Sequence, residues 1–563
     1  MASSSKKQTF LHGAALLALA TAIVKIIGAL YKLPLQMVIG KEGYSYFSSA
    51  YDIYTVLLLI STAGLPVAMS RMISQATSLN DSAQARKVYN TSRALFLGIG
   101  GISTVLMMPF CKALAQSQEQ PDAWIAIFCL APCAFFMGII STYRGFFQGQ
   151  GNMIPTSKSQ VLEAVIKLTV GLAAAIAILH FTNSIPLAAA GAILGVTMSC
   201  AISVIYLFCV FRKQADREIL EEKQPLFCGL TCKQLLAIAV PITIGAAGLQ
   251  LLTVIETSLY MDRLVGLLET NRLTDPIVEV LRAEVLANNP QGLTAAELNS
   301  KIAANMKGIY NLSQTIYNLP NSFITPLTVS IILALTAHLT LKNDAMTKAT
   351  EESAARITGL LSLPCAVGLM VMAEPVMSLL GGYGTPEELK LAGQLMGILG
   401  ISVFLHAIVL LTNSFMQAHG HPNLPVVNML CSGVFRLIVV FLLSGNPGIG
   451  ILGVPIGTAL CNLAICVLNL FSMAKCVPQK PALVKNLLRP AIPAVIMGVM
   501  AFAARQGLVM VLGADASRVI LCGAPIALAA CVYLVCVVLF KSITREDCLL
   551  LPKGEKIAKL LRL

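Results

Sequence analysis

Charged side chains are scarce in this chain of 563 residues. Asp, Glu, Lys and Arg make up 12% of it, about half of the roughly 25% found in soluble domains. So few ionisable groups cannot coat the water-exposed surface of a soluble protein of this length, which excludes a soluble enzyme. The residues AVILMFWYC contribute 56%, and this apolar content excludes a disordered chain.

Sequence motifs for ligand chemistry are also missing. The six histidines have no metal-ligand spacing and no glycine-rich nucleotide loop occurs, so ATP-driven transport by this chain is not expected. The sixteen cysteines lie mostly one at a time in apolar segments, without a C-x-x-C motif, which favours small core side chains. We therefore predict no metal and no cofactor. The net charge of +13 is interpreted as basic cytoplasmic loops, not as a nucleic-acid interface.

Long apolar segments are what the sequence has instead. A transmembrane helix needs about 20 mostly apolar residues, and roughly fourteen such segments fit along the chain. We therefore predict an all-α polytopic membrane protein with about 14 transmembrane helices. The predicted spans are 13–40, 46–74, 90–115, 122–147, 159–181, 186–211, 234–262, 308–338, 356–381, 391–418, 424–444, 450–474, 490–512 and 518–540.

The distribution of basic residues predicts the orientation of these spans. Cytoplasmic loops of membrane proteins are enriched in Lys and Arg. With the N-terminus inside, 26 of the 40 Lys and Arg residues fall on the cytoplasmic side. We therefore expect an even number of spans, with both termini cytoplasmic.

The longest outer loop covers residues 263–307. Thr294-x-x-Glu297 in this loop resembles a helix capping box. Two short amphipathic helices are predicted, near 276–287 and 295–305. The loop is interpreted as a solvated connector, and a gating or recognition role is the alternative.

A weak internal repeat divides the chain. Residues 143–151 and 412–420 align Phe, Gln and Gly at an offset of 269, and the same offset places Lys167 on Arg436. Further matches in the same order indicate two parallel six-helix halves related by an axis along the membrane normal. The expected parts are an N-terminal lobe, a C-terminal lobe with the outer loop, and two additional spans with a basic cytoplasmic tail: 1–225, 226–480 and 481–563.

Charged residues inside the predicted spans are the candidate functional residues. A charge at the membrane centre costs about 2.5–3.5 kcal/mol on insertion scales, so each one is expected to have a partner or a ligand. The basic candidates for a phosphate or pyrophosphate site are Lys25, Lys32, Lys167, Arg436 and, in a cytoplasmic segment, Arg71. The acidic candidates for H⁺ or Na⁺ coupling, or for charge balance, are Asp52, Glu163 and Glu256.

Several of these residues have a structural alternative. Glu163 and Lys167 are spaced i, i+4 and can neutralise each other on one helix face, and Lys32 can extend toward the membrane surface. The tyrosines beside Asp52 are interpreted as an aromatic belt at the membrane surface, with stacking on sugars as the alternative. These tyrosines are Tyr44, Tyr46, Tyr51 and Tyr54.

Three stretches carry a resemblance to a known family: residues 25–35 (KIIGALYKLPL), 51–71 (YDIYTVLLLISTAGLPVAMSR) and 148–152 (QGQGN). The chain resembles the stage V sporulation protein B and polysaccharide-exporter branch of the multidrug/oligosaccharidyl-lipid/polysaccharide superfamily, which also contains the lipid II flippases. The resemblance implies a V-shaped bundle of two six-helix lobes plus two C-terminal helices. It implies that the bundle moves undecaprenyl-pyrophosphate-linked sugars to the outer leaflet of a bacterial plasma membrane. It further implies that Lys25 binds the pyrophosphate and that spans 13 and 14 border a groove for the polyprenyl tail.

The sequence departs from the lipid II branch at two places. Those relatives have arginines in span 2 and at the start of span 8. Here the matching stretches read Leu57-Leu58-Leu59 and Tyr310-Asn311-Leu312-Ser313-Gln314. Lipid II itself is therefore not the expected substrate.

The sequence predicts a flippase and not an enzyme. The expected activity is translocation of a polyprenyl-pyrophosphate-linked oligosaccharide by alternating access, with that lipid and the surrounding membrane lipid as partners. A cation-coupled multidrug exporter of the same fold is the first alternative, but its cavity is expected to be acidic or apolar. A membrane glycosyltransferase or ligase is the second. It needs a carboxylate or His base in a large outer loop, and the loop 263–307 has no His.

Overall fold

A computed structural model describes most of the chain. The described residues are 2–59, 64–79, 81–214, 224–273, 275–289, 292–340, 342–381, 383, 385–478, 481–513 and 517–544. Within these ranges nearly all residues are α-helical and none forms a strand. Ten helical segments of the described part are long and apolar enough to cross a membrane. The chain is therefore a multi-pass membrane protein, as predicted, and the count of about fourteen spans stays a prediction.

The helices are joined mostly by short connections, and a π-helical turn at Lys167–Gly171 joins the fifth to the sixth. Their bounds are α1 Ala2–Leu59, α2 Leu65–Ser78, α3 Ser82–Gln116, α4 Trp124–Gly149, α5 Ile154–Ile166, α6 Leu172–Thr182, α7 Ile185–Gln214, α8 Gly229–Glu269, α9 Pro276–Asn288, α10 Ala295–Thr340, α11 Asp344–Val371, α12 Ala373–Gly381, α13 Pro386–Ala418, α14 Asn423–Ser444, α15 Gly453–Cys476, α16 Leu483–Leu488, α17 Ala491–Leu512 and α18 Arg518–Leu539.

Helix α1 contains two segments that meet at Gly40. The backbone of Gly40 has φ 70° and ψ −176°, outside the helical region. Glycine adopts positive φ without the steric cost that a Cβ would add. Gly40 therefore ends the first segment, which carries Lys32, and redirects the second, which carries Tyr51 and Asp52.

The first compact unit contains the described residues of Met1–Val265 and Asn299–Gly308. In it α3 packs on α4, and α4 packs on α7. Its core includes the fully buried rings of Tyr31 and Phe47 together with many alanines of α4 and α7. The Tyr31 hydroxyl donates to the carbonyl oxygen of Ala192 at 3.1 Å, which fixes the first segment of α1 to α7.

The second compact unit contains the described residues of Gly266–Leu298 and Ile309–Leu563. In it α13 packs on both α11 and α15, and α14 packs on α15. The two last helices, α17 and α18, pack on each other, and α17 also contacts α11. Helix α10 thus has residues in both units, since its residues 299–308 belong to the first.

The outer loop predicted at 263–307 is largely helical. Helix α9 confirms the first of its two predicted helices. The capping box is confirmed as well, because the N–H of Thr294 donates to Glu297 Oε2 at 2.9 Å and the N–H of Glu297 donates to Thr294 Oγ1 at 3.3 Å. The prediction of a short second helix is wrong, since α10 continues from Ala295 to Thr340. Residues 302–304 of α10 are buried, so this stretch is part of a packed helix and not of a solvated connector.

Candidate functional site

Two predicted basic residues, Lys32 and Lys167, meet at the ring of Tyr51. Lys32 Nζ lies 4.7 Å from the centroid of that ring, and Lys167 Nζ lies 5.2 Å from it. Lys167 Nζ also lies 4.9 Å from the ring centroid of Tyr54 and donates to the Tyr51 hydroxyl at 3.3 Å. Lys167 occupies the first position of the π-helical turn, a rare local geometry that is frequent at functional sites.

Lys307 is a candidate site residue that the sequence prediction missed. Its side chain is 1% exposed, and its Nζ donates to Ser49 Oγ at 2.5 Å. Asp52 lies close enough to Lys307 and Lys32 to interact electrostatically with both. Lys307 was missed because the predicted span 8 begins at the next residue. The apolar residues 302–304 are the feature of the sequence that indicates an earlier start of this buried helix. We refer to the five residues Lys32, Tyr51, Asp52, Lys167 and Lys307 as the Tyr51 cluster.

Contacts of the first turns of α10 hold Lys307 against α1. A Cβ on Gly308 would overlap the carbonyl oxygen of Lys41, so the two backbones approach more closely than other residues would allow. Lys301 Nζ lies 2.6 Å from Glu42 Oε1 and 3.2 Å from Asp122 Oδ2. These ion pairs anchor the segment that carries Lys307 within the first unit.

Glu163 forms its ion pair with Arg144. The distance between Arg144 Nη2 and Glu163 Oε1 is 3.0 Å, and the two side chains are 4% and 9% exposed. Arg144 Nε also donates to Ser159 Oγ at 2.9 Å. Glu163 and Lys167 therefore do not neutralise only each other, which was the structural alternative. The guanidinium of Arg144 satisfies Glu163 and Ser159 together, and Lys167 donates to the Tyr51 hydroxyl while lying close enough to Glu163 to interact electrostatically.

The tyrosines of α1 are core residues. Tyr44, Tyr46 and Tyr54 are buried, and the rings of Phe47 and Tyr51 are stacked with centroids 5.3 Å apart. The predicted aromatic belt is wrong, because belt residues face the lipid headgroups whereas these rings lie in the interior of the first unit.

Arg436 belongs to the second unit, where it is partly exposed on α14. It lies close enough to Tyr317 to interact electrostatically. Asn462 Nδ2 donates to the Tyr317 hydroxyl at 3.4 Å, and the rings of Tyr317 and His406 have centroids 6.3 Å apart. Arg436 thus lies beside polar groups of its own unit, and its place in the predicted pyrophosphate site stays a prediction.

The remaining predicted residues lie elsewhere. Arg71 is exposed on α2, and Glu256 is buried on α8. The side chain of Lys25 lies outside the described residues. The roles predicted for these three residues stay predictions.

An apolar groove of about 540 Å³ lies in the second unit. It is formed by residues of α10, α11, α12, α17 and α18, among them Phe323, Leu369, Met497 and Leu534. Helices α17 and α18 correspond to the predicted spans 13 and 14. The groove therefore lies where the resemblance implies a binding surface for a polyprenyl tail.

The Tyr51 cluster has the chemistry of an anion site. It combines three ammonium groups with one carboxylate, which leaves an excess of positive charge. Ammonium groups attract phosphate oxygens more strongly in a protein interior than in water, because the effective dielectric constant is lower. Within the described part of the chain, no group of three or more His, Cys, Asp or Glu side chains has an arrangement that could hold a metal ion.

The fold and the cluster together define a multi-pass helical membrane protein with a cationic site inside one helical unit. The family model described as polysaccharide biosynthesis protein matches residues 10–333. The model described as lipid II flippase MurJ matches residues 292–513. The chain belongs to the polysaccharide biosynthesis protein family.

Individual proteins are similar to this chain over most of its length. Stage V sporulation protein B of Bacillus subtilis (strain 168) is 23% identical over 557 residues, which cover 97% of this chain and 98% of that protein. The structure of lipid II flippase MurJ in an inward closed conformation matches with a TM-score of 0.67 at 14% identity, covering 95% of this chain and 99% of that one. An inward-facing multidrug resistance MATE family transporter of the MOP superfamily matches with a TM-score of 0.61 at 16% identity, covering 83% and 99%. The predicted all-α membrane fold and the family resemblance are confirmed.

Proposed function

We propose that this chain is a flippase that translocates polyprenyl-pyrophosphate-linked oligosaccharide, a precursor of cell-wall or surface polysaccharide, by alternating access. The observation that carries the proposal is the Tyr51 cluster, in which Lys32 and Lys167 lie at the ring of Tyr51 and Lys307 is buried beside Ser49 in a membrane protein. Membership of the polysaccharide biosynthesis protein family supports the class of substrate.

The anionic headgroup is the part of such a lipid that is costly to move. Transfer of an isolated charged group into an apolar interior is strongly unfavourable unless the group is paired and hydrogen-bonded. Lys32, Lys167 and Lys307 would supply that pairing for a pyrophosphate, and Arg436, Arg71 and Lys25 are proposed as further ligands. The lysines repel one another before the anion binds, so binding also relieves this repulsion.

The apolar groove of the second unit is proposed to hold the polyprenyl tail. Its lining is dominated by aliphatic and aromatic side chains, which suits an isoprenoid chain and not a sugar. The tail would then stay in an apolar environment while only the headgroup crosses the protein.

The acidic residues are proposed to balance charge or to couple transport to H⁺ or Na⁺. The buried ion pair with Arg144 favours charge balance for Glu163. Asp52 lies close enough to Lys307 and Lys32 to interact electrostatically with both, which supports either role for this residue. Glu256 remains a candidate for coupling.

A cation-coupled multidrug exporter is the second candidate function, and the fold similarity to a MATE family transporter favours it. Its substrates would be organic cations. The excess of ammonium groups in the Tyr51 cluster would repel such cations, so the described site supports the lipid-linked anion better. A glycosyltransferase or ligase activity on the same lipid is the weakest alternative.

The proposed function is tested by leaflet translocation in proteoliposomes. A fluorescent polyprenyl-pyrophosphate-linked oligosaccharide is incorporated in both leaflets, and the fraction that becomes accessible to an impermeant quencher is followed with time. We expect the reconstituted protein to accelerate the exchange over protein-free vesicles of the same lipid composition. An organic-cation dye is run in parallel. Acceleration of dye efflux without acceleration of lipid exchange would replace the proposal by the multidrug exporter.

We propose that the protein resides in a bacterial plasma membrane with both termini cytoplasmic, and Cys228 offers a test. It lies just before α8, in a connection that the proposed topology places in the cytoplasm. Hydrogen bonds from Thr231 lower the pKa of the Cys228 thiol to about 7. Because the thiolate is the reactive form, alkylation should rise through a midpoint near pH 7 and level off above it.

The labelling experiment uses an impermeant maleimide and a variant in which the tail residue Cys548 is serine. We expect Cys228 to be labelled in inside-out vesicles and protected in intact cells, with Cys228→Ser as the control for signal from other thiols. Labelling of Cys228 in intact cells would reverse the proposed orientation.

A further inference from the structure

The ring of Tyr51 contacts two cationic side chains of the first unit, Lys32 and Lys167. Lys32 Nζ and Lys167 Nζ lie 4.7 and 5.2 Å from its ring centroid, so the two nitrogens are no further apart than the sum of these distances. Lys167 is also hydrogen-bonded to the Tyr51 hydroxyl. One aromatic side chain therefore restricts two ammonium groups at once.

The Tyr51 ring is itself held by its neighbours. It stacks on Phe47 at a centroid distance of 5.3 Å and an interplanar angle of 29°, and it contacts Tyr54 at 5.2 Å and 47°. Phe47 is 0% exposed and Tyr54 is 2% exposed. Because these rings are packed in the core, Tyr51 is a fixed platform on which flexible lysine side chains can be positioned.

We propose that Tyr51 is a positioning residue that holds the ammonium groups of Lys32 and Lys167 together, at a spacing that fits a single diphosphate, before the ligand binds. This inference rests on the proposed function. The face of an aromatic ring attracts cations, which offsets part of the repulsion between the two lysines. An arrangement formed in advance also spares the ligand the cost of ordering two long side chains.

The same contacts argue against sugar stacking by Tyr51. Phe47, Tyr54 and the two ammonium groups already surround its ring. The chemistry left for the ligand is that of the lysine N–H groups, which bind phosphate oxygens. Tyr51 then acts on the diphosphate through the lysines and does not contribute to recognition of the sugar.

The test compares Tyr51→Leu, Tyr51→Phe and Tyr44→Leu in the proteoliposome exchange assay with polyprenyl-pyrophosphate-linked oligosaccharide. Tyr44 is a matched control because it lies on the same helix, is buried and stacks on the same Phe47 at 6.0 Å. We expect Tyr51→Leu to raise KM at least about tenfold with little change in kcat, since a desolvated cation–π contact is lost for two lysines. Tyr51→Phe keeps the ring and should raise KM only a few-fold.

The thermal midpoint of each variant in detergent separates positioning from folding. A structural role alone would lower the midpoint and the maximal rate of Tyr51→Leu and Tyr44→Leu alike. The inference is overturned if Tyr51→Leu raises KM no more than Tyr44→Leu does, or if Tyr51→Phe is as impaired as Tyr51→Leu. If Tyr51→Leu fails to fold, the comparison of Tyr51→Phe with Tyr44→Phe tests the inference. We then expect a few-fold higher KM for Tyr51→Phe and an unchanged KM for Tyr44→Phe, and equal KM values would overturn the inference. The proposed function itself would be overturned if the wild type exchanged the lipid no faster than protein-free vesicles do. Normal exchange by the wild type together with an unaffected Tyr51→Leu would overturn only the inference about Tyr51.

Discussion

Lys307→Met is expected to slow exchange of the pyrophosphate-linked lipid about 10- to 100-fold at limiting lipid concentration. A hydrogen bond to a charged group contributes about 1.5–3 kcal/mol, and each 1.4 kcal/mol is about a factor of ten. The Lys307 side chain is buried, its Nζ donates to Ser49 Oγ, and Asp52 lies close enough to interact with it electrostatically. Because water has little access to this position, it would not substitute for the ammonium group as a partner of the anion. Methionine keeps much of the side-chain volume but removes the charge and the N–H donors, including the one to Ser49 Oγ.

The measurement is the initial exchange rate in proteoliposomes at several lipid concentrations. Lys307→Arg should keep most of the rate because it keeps the charge. Lys158→Met is the control for loss of one positive charge, since Lys158 is exposed on α5, and it should leave the rate unchanged. An unaltered rate for Lys307→Met, in a protein whose thermal midpoint is normal, would remove Lys307 from the proposed site.

Arg144→Ala is expected to lower the free energy of unfolding by about 3–5 kcal/mol. Removing one partner of a buried ion pair leaves an uncompensated charge, which costs about this much. Arg144 and Glu163 are 4% and 9% exposed, with 3.0 Å between Nη2 and Oε1. Replacing both members, by Arg144→Met together with Glu163→Leu, should recover most of the loss, because no buried charge then remains at this position.

Unfolding in detergent, followed by circular dichroism with increasing denaturant, measures these differences. The matched control is Arg282→Ala, which breaks the exposed pair of Arg282 and Glu279, 3.5 Å apart with side chains 32% and 76% exposed. Exposed ion pairs contribute about 0–1 kcal/mol, so this variant should be close to the wild type. Equal stability losses for Arg144→Ala and Arg282→Ala would contradict the role of burial in this prediction.

The local features of the fold are accessible from the sequence. The apolar segments predict the membrane helices, because a helix that crosses the bilayer needs about 20 apolar residues wherever it lies. The capping box at Thr294 and Glu297 forms as predicted, since it involves residues of a single helical turn. Helix α9 is also predicted correctly, because its pattern depends on residues that are close together in the sequence.

The candidate site is only partly accessible from the sequence. A charged residue in an apolar segment is conspicuous, so Lys32, Lys167, Asp52 and Glu163 are found without a structure. Their partners are not found, because spacing along one helix says nothing about the facing helix. Arg144, the partner of Glu163, lies on α4, and Tyr51, the partner of Lys167, lies on α1.

By itself the sequence determined that this chain is a helical membrane protein, where its apolar helices lie and which charges are unusual, since these properties depend on composition and on contacts within a few residues. Only the tertiary structure decided that Lys307 is buried beside Ser49 and that Tyr51 lies beside two lysines. Both depend on the packing of helices far apart in the chain. Burial and electrostatic interaction are set by neighbours in space, and the order of residues along one helix does not specify those neighbours.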